Sequence, residues 1–243
     1  MTKDRSQDAV DARASAPTPA QQGGVDAFLS QVHASPPRQR RDGRGRLIFA
    51  MDATMSRRPS WDQACSIQGD LFLETDGIGG LDVQLVYFRG YRDCRASRWA
   101  GDGATLLRLM SSVDCRGGRT QIHRVLKHVE REAAKAPVDA VVYVGDCCEE
   151  AADALCDRAG HLGAIGTPLL MFHEGGEPRA ARIFRELARL SGGAYAPFDL
   201  TSPAQLRSLL RAAAVYAAGG RAVLEGRANG YGAGAVKLLQ QMR

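Results

Sequence analysis

The sequence predicts an α/β domain with a doubly wound, mostly parallel β-sheet and helices on both of its faces. From residue 47 to residue 218, short apolar runs alternate with longer amphipathic ones, the pattern of strand–helix crossovers. Runs such as Ala140-Val141-Val142-Tyr143-Val144 are apolar throughout, which suits strands buried on both faces, as in a parallel sheet between helix layers. The chain of 243 residues with 44% hydrophobic residues is long enough for one substantial core with tails.

Residues 1–45 read as a disordered, basic N-terminal region. Residues 1–23 are rich in Ala, Ser, Asp, Gln and Pro and lack apolar periodicity. Val25, Phe28, Leu29 and Val32 fall on one helical face, predicting a short helix near 25–33 that Pro36-Pro37 stops. Arg38, Arg40, Arg41, Arg44 and Arg46 then form a basic linker.

Residues 46–218 carry the domain. The first strand is Leu47–Met51, followed by a helix from Ser60, a good N-cap residue, to Leu73. Asp82–Phe88 and Cys94–Trp99 are strands joined through a turn containing Gly90. Gly103–Val113 reads as a helix with Leu106, Leu107 and Met110 inward, and Gly117-Gly118 as a turn. Thr120–Lys135 is a helix carrying Ile122, Val125, Leu126 and Val129. Strand Ala140–Val144, helix Ala151–Ala159, strand Pro168–Phe172, helix Arg179–Ser191, strand Ala194–Phe198 and helix Pro203–Ala218 complete it. Residues 219–243 read as a tail. Its apolar set Val236, Leu238, Leu239 and Met242 fits either a short helix against the body or an interaction segment.

Composition narrows the function classes. No apolar run approaches the ~18–20 residues of a membrane span. The polar start Met1-Thr2-Lys3-Asp4-Arg5 leads into no apolar stretch, so the chain is expected in the cytoplasm with its six cysteines reduced. No C-x-x-C pair suggests a zinc knuckle. Cys147 and Cys148 are vicinal, which offers a redox-sensitive pair as a minor reading. Net charge is +5 with a pI near 9.0. The arginines of residues 38–46 could touch nucleic acid, but no aromatic residues interleave with them as stacking platforms.

The chemistry gathers at strand ends. Asp52 ends the first strand, and Thr54 and Ser56 follow at alternate positions. Alternate side chains point the same way along a strand, and a turn can bend all three toward one point. Thr120 opens a helix after the Gly-Gly turn, and Asp146 follows the fourth strand. In a doubly wound sheet these strand ends share one edge, where ligands sit. Asp52, Thr54, Ser56, Thr120 and Asp146 thus form an oxygen-rich candidate set for a hard divalent cation, Mg²⁺ or Mn²⁺, with two carboxylates balancing its charge.

The pattern resembles the von Willebrand factor A (VWA) domain and its metal-ion-dependent adhesion site (MIDAS): D-x-S-x-S after the first strand, a threonine in a glycine-rich loop, and an aspartate after the fourth strand. Asp52, Ser56, Thr120 and Asp146 match this pattern, and Thr54 stands where the family more often has serine. The resemblance covers roughly residues 45–218, and its intracellular bacterial members are the nearest type. It implies a non-catalytic domain that captures a protein partner through the cation, the partner supplying a Glu or Asp as the last ligand.

Rival classes fit less well. A haloacid-dehalogenase-like phosphatase also ends its first strand in aspartate, but the second acid it needs is replaced by Thr54. Neither Gly-x-Ser-x-Gly nor the Walker-type glycine loop occurs. His123 and His128 are five apart, not at a zinc-pair spacing. Glu149 and Glu150 are expected to favour the N-terminus of the helix that follows them. Two other readings stand beside cation-mediated capture. One is a scaffold that uses the basic arm 38–46 on nucleic acid or an assembly. The other is a metal-free structural domain docking through residues 25–32 or 236–242.

Overall fold

The structure is a computed structural model and describes residues 43–199, 203–227 and 232–242. The expectations for residues 1–42, including the helix near 25–33, lie outside the described residues.

Among the described residues six strands form one sheet: β1 (Gly45–Asp52), β2 (Leu81–Arg89), β3 (Asp93–Ala100), β4 (Ala140–Gly145), β5 (Leu169–Glu174) and β6 (Ala194–Phe198). Their order is β3-β2-β1-β4-β5-β6. All neighbours run parallel except the edge strand β3, which returns antiparallel on β2 through the tight Gly90 turn. β1 lies inside the sheet, and the later strands build outward on both of its sides. Strand order therefore reverses between β1 and β4, and in sheets of this kind ligands sit beyond the carboxyl ends of the strands at that point.

Among the described residues seven α-helices cover the sheet: α1 (Arg58–Leu73), α2 (Gly103–Ser111), α3 (Ile122–Lys135), α4 (Ala152–Ala164), α5 (Pro178–Ser191), α6 (Pro203–Arg227) and α7 (Gly232–Gln241). Alternation along β1 divides the core. Leu47, Phe49 and Met51 face a layer with α1, α2, α6 and α7, while Ile48 and Ala50 face a layer with α3, α4 and α5.

Four local expectations change. Leu107, expected inward with Leu106 and Met110, is exposed while those two are buried. Ser60 is not an N-cap: a 3₁₀ turn, Met55–Arg57, leads directly into α1, Pro59 occupies the first turn, and Ser60 is buried. Thr120 lies outside α3, because its hydroxyl is engaged by another loop. The final helix does not stop at Ala218. Gly220 takes a positive φ of 73°, which breaks it for one residue, and helix then resumes to Arg227.

The tail expected from residue 219 contains α7, which packs on α6 and β6. Leu238, Leu239 and Met242 are buried and Val236 is exposed. The Gln241 side chain accepts from the Tyr195 amide at 2.7 Å and donates to the Tyr195 carbonyl at 2.8 Å. That two-way bond mimics a strand partner and covers the outer edge of β6.

Candidate metal centre

The site begins where β1 ends. Met51 pairs with Val144 in the parallel register, so Asp52 and the Gly145-Asp146 turn leave the sheet side by side. Asp52 is buried, and its Oδ1 accepts the Thr54 amide at 2.7 Å. This Asx-type bond turns the chain sharply. Thr54 Oγ1 and Ser56 Oγ then lie 3.4 Å apart, Thr54 buried and Ser56 exposed. The methyl of Thr54 is accommodated without left-handed backbone, its φ being −74°.

Burial pushes the Asp52 carboxyl up to about 6, and the charge of Asp146 pushes the same way; hydrogen bonds from Thr54 and the charge of Arg57 oppose them. Asp146 holds its carboxylate between two fates. Oδ2 lies 3.3 Å from Arg57 Nη2, while Oδ1 is buried without a hydrogen-bond partner. Its backbone is anchored from beneath: His173 Nε2 donates to the Asp146 carbonyl at 3.0 Å, which leaves Nδ1 to accept from the Tyr195 hydroxyl at 2.9 Å.

Thr120 lies on the loop before α3. That loop presses onto the β2–β3 hairpin, the Arg119 amide donating to the Gly90 carbonyl at 3.0 Å. A Cβ at Gly118 would lie 2.2 Å from that carbonyl oxygen, so only glycine permits the approach. Thr120 is then tied to the loop after β4: its amide donates to Glu149 Oε2, and its Oγ1 accepts the Glu149 amide, both at 3.1 Å. Glu150 accepts the Ile122 and His123 amides. The two glutamates therefore satisfy the N-terminus of α3 and not that of α4, as the sequence suggested. α4 opens on Ala151 without a side-chain cap.

Sequence reasoning missed Arg57 and Glu174. Glu174, the last residue of β5, is buried. Its carboxylate forms an ion pair with Arg57 Nη1 at 2.5 Å and accepts the Ser60 hydroxyl. Three neighbouring strands, β1, β4 and β5, thus end in an acid or run into one, with Arg57 bridging the last two. The clue was an arginine next to Ser56 and an acid just beyond the expected end of the fifth strand, neither telling without the fold.

The donor set suits a hard cation. It holds two carboxylates, one with an orphaned buried oxygen, and hydroxyls; among the described residues no cluster of three or more His, Cys, Asp or Glu side chains offers a metal site. The basic run is partly consumed by the fold. Arg44 binds Asp82 and two carbonyls, and Arg46 stacks on Trp99 at 4.1 Å and pairs with Glu132.

No family model matches the sequence, and no curated protein does. Solved structures do match. The VWA domain of SpRpn10 superposes with a TM-score of 0.53 at 10% identity, over 67% of this chain and 95% of that one. The vWF domain of the type V pili tip protein Mfa5 from Porphyromonas gingivalis gives 0.54 at 10% identity, over 70% and 93%. The fold is that of a VWA domain. A third match is proximal thread matrix protein 1 from the mussel byssus with a zinc-occupied MIDAS motif. It gives 0.53 at 13% identity, over 71% of this chain and 46% of that one. In this VWA-like fold the carboxyl ends of β1 and β4 lead into Asp52, the Thr54–Ser56 turn and Asp146, and Thr120 is held by Glu149. No described helix is long and apolar enough to cross a membrane.

Proposed function

We propose that this VWA domain is a non-catalytic binding module. It captures a protein partner through a divalent cation, Mg²⁺ or Mn²⁺, held by Asp52, Thr54, Ser56, Thr120 and Asp146, and the partner contributes an acidic side chain. The observation that carries the reading is the pair of neighbouring acids, Asp52 and Asp146. Asp52 is buried and strained toward protonation, and Asp146 has an oxygen with no partner. Two such carboxylates repel each other, and a divalent charge relieves both burial and repulsion. In the mussel byssus protein named above, a MIDAS motif holds zinc, which makes a divalent cation the class to test here.

Bound there, a hard divalent cation with few protein carboxylates offers an open position to an outside carboxylate. The chain's own residues prepare that position. The Asp52–Thr54 turn presents the hydroxyls, Glu149 fixes the threonine loop, and His173 fixes the backbone of Asp146. Ser56 and Met55 are exposed at the rim, Met55 at 62%, so the proposed site opens toward a partner surface. Thr54 stands where a phosphatase of the haloacid-dehalogenase type would need its second acid, which favours binding over hydrolysis.

Calorimetric titration of the full chain with Mn²⁺ tests the cation. Saturable binding that Asp146→Ala abolishes supports the reading, and undiminished binding in that variant contradicts it. An immobilised acidic peptide then tests the open position: retention should need Mn²⁺ or Mg²⁺ and vanish with EDTA.

A further inference from the structure

A second surface, built by α3 and the β2–β3 hairpin, carries its own chemistry. On α3, Arg124, Lys127, His128 and Arg131 fall at i, i+3, i+4 and i+7, a single stripe about 10 Å long. The stripe and Arg95 of edge strand β3 line a cleft of about 330 Å³. No acid lines it. Nearby acids are already engaged: Asp93 with Arg89 and Arg95, Glu130 with Arg158, Glu132 with Lys135 and Arg46. Among the described residues Lys127 and Arg131 have no acidic partner within ion-pair distance, and both are exposed. His128 donates to Gln84 Oε1 at 2.8 Å and fixes the stripe against the sheet.

Arg124 also lines a second, adjoining cleft of about 380 Å³ whose wall includes Tyr91. Tyr91 sits at the hairpin tip with 76% of its surface exposed. Arg124 holds the tip in place by donating to the Arg92 carbonyl at 2.8 Å. The one acid lining that cleft, Glu150, is occupied by the Ile122 and His123 amides. A row of unpaired cations leading to an exposed ring is the combination that single-stranded nucleic acid requires, cations tracking phosphates and a ring stacking on a base.

We infer that the α3–hairpin face, with Lys127 and Arg131 as phosphate contacts and Tyr91 as a stacking platform, binds single-stranded nucleic acid. The Tyr91 cleft borders the proposed cation site at Thr120, but Lys127, Arg131 and Tyr91 are not among the proposed cation ligands. An acidic protein would satisfy the charges but leaves the exposed ring without a role, so charge and ring together favour the nucleic acid.

Fluorescence anisotropy of the full chain with a labelled oligothymidylate of about 16 nucleotides tests it, that length being the upper site size for one such groove. Binding should weaken with salt. Lys127→Glu with Arg131→Glu should weaken it at least about tenfold and lower the log–log salt slope by roughly 1.4. Tyr91→Ala should weaken it about tenfold while leaving the slope unchanged. EDTA and Asp146→Ala should change nothing, which separates this surface from the cation site. Unchanged affinity in the Lys127/Arg131 double variant overturns the assignment and places binding on the arginines of residues 38–41. Equal competition by polyglutamate, with no effect of Tyr91→Ala, overturns it in favour of an acidic protein partner. Loss of binding with EDTA overturns it too, since the phosphates would then be reaching the cation site.

Discussion

Arg57 Nη2 lies 3.3 Å from Asp146 Oδ2, and the other arm of the same guanidinium lies 2.5 Å from Glu174 Oε2. A cation built into the chain thus sits against one of the carboxylates proposed to hold a metal. The pair is mostly buried, so its charges are weakly screened. Arg57 therefore competes with an incoming divalent ion for Asp146 while keeping that carboxylate tolerable without one.

Arg57→Gln separates these two roles. Divalent affinity should rise roughly tenfold as the competing charge is removed. Stability in EDTA should fall by about 3 kcal/mol, because Glu174 is left as a buried unpaired charge and Asp146 as a partly buried one. Thermal unfolding with and without Mg²⁺ reads both effects, and the gap between the two curves should widen. A lower Mg²⁺ affinity in this variant would instead make Arg57 a supporter of the site.

Asp52 predicts a pH dependence of the metal-free protein. Its carboxyl is raised from 3.8 to about 6 in the fold, so between these values the folded state binds more protons than the unfolded one. Stability from this group is complete below about pH 4 and falls as pH rises toward 6, by about 3 kcal/mol in all. Urea unfolding in EDTA from pH 4 to 7 should show this fall, and Asp52→Asn should remove it. Mn²⁺ affinity should move the opposite way, rising over the same range as Asp52 ionises. A flat urea profile in both proteins contradicts the assignment.

The Gly118 contact gives a steric test. Gly118→Ala drives a Cβ into the Gly90 carbonyl and should cost about 1–3 kcal/mol while displacing Thr120 and weakening Mn²⁺ binding. Gly117→Ala meets nothing within 4 Å and should leave both properties near wild type. Equal effects at the two positions would show that the loop does not depend on this close approach.

The C-terminal helix tests what belongs to the core. Leu238 is fully buried between α7, α6 and β6. Leu238→Ala should destabilise the whole domain by about 2–5 kcal/mol. Unchanged denaturant stability would mean that α7 is a detachable segment.

Much of this architecture was legible because apolar runs such as Ala140–Val144 declare buried parallel strands, and because Asp52 and Asp146 each sit where such a run ends. The strand order makes β1 and β4 neighbours, and the register sets Met51 beside Val144. The remainder depends on pairings between residues far apart in sequence. Arg57 meets Glu174, and Glu150 caps α3 instead of α4, only after the crossovers bring their loops together. Helix propensity put Thr120 inside α3, but its hydroxyl is held by the Glu149 amide. The Gly219-Gly220 pair looked like the start of a tail, yet one residue with positive φ interrupts the helix without ending it. Residues 44 and 46 read as linker, whereas Arg46 packs on Trp99.

Manganese binding to the full chain near pH 7.5, followed by electron paramagnetic resonance, tests the cation site most directly. Wild type should sequester Mn²⁺ at a single saturable site, Asp52→Ala and Asp146→Ala should each release it, and Mg²⁺ should compete. Absence of binding in wild type, or binding that survives both substitutions, would contradict the site proposed here.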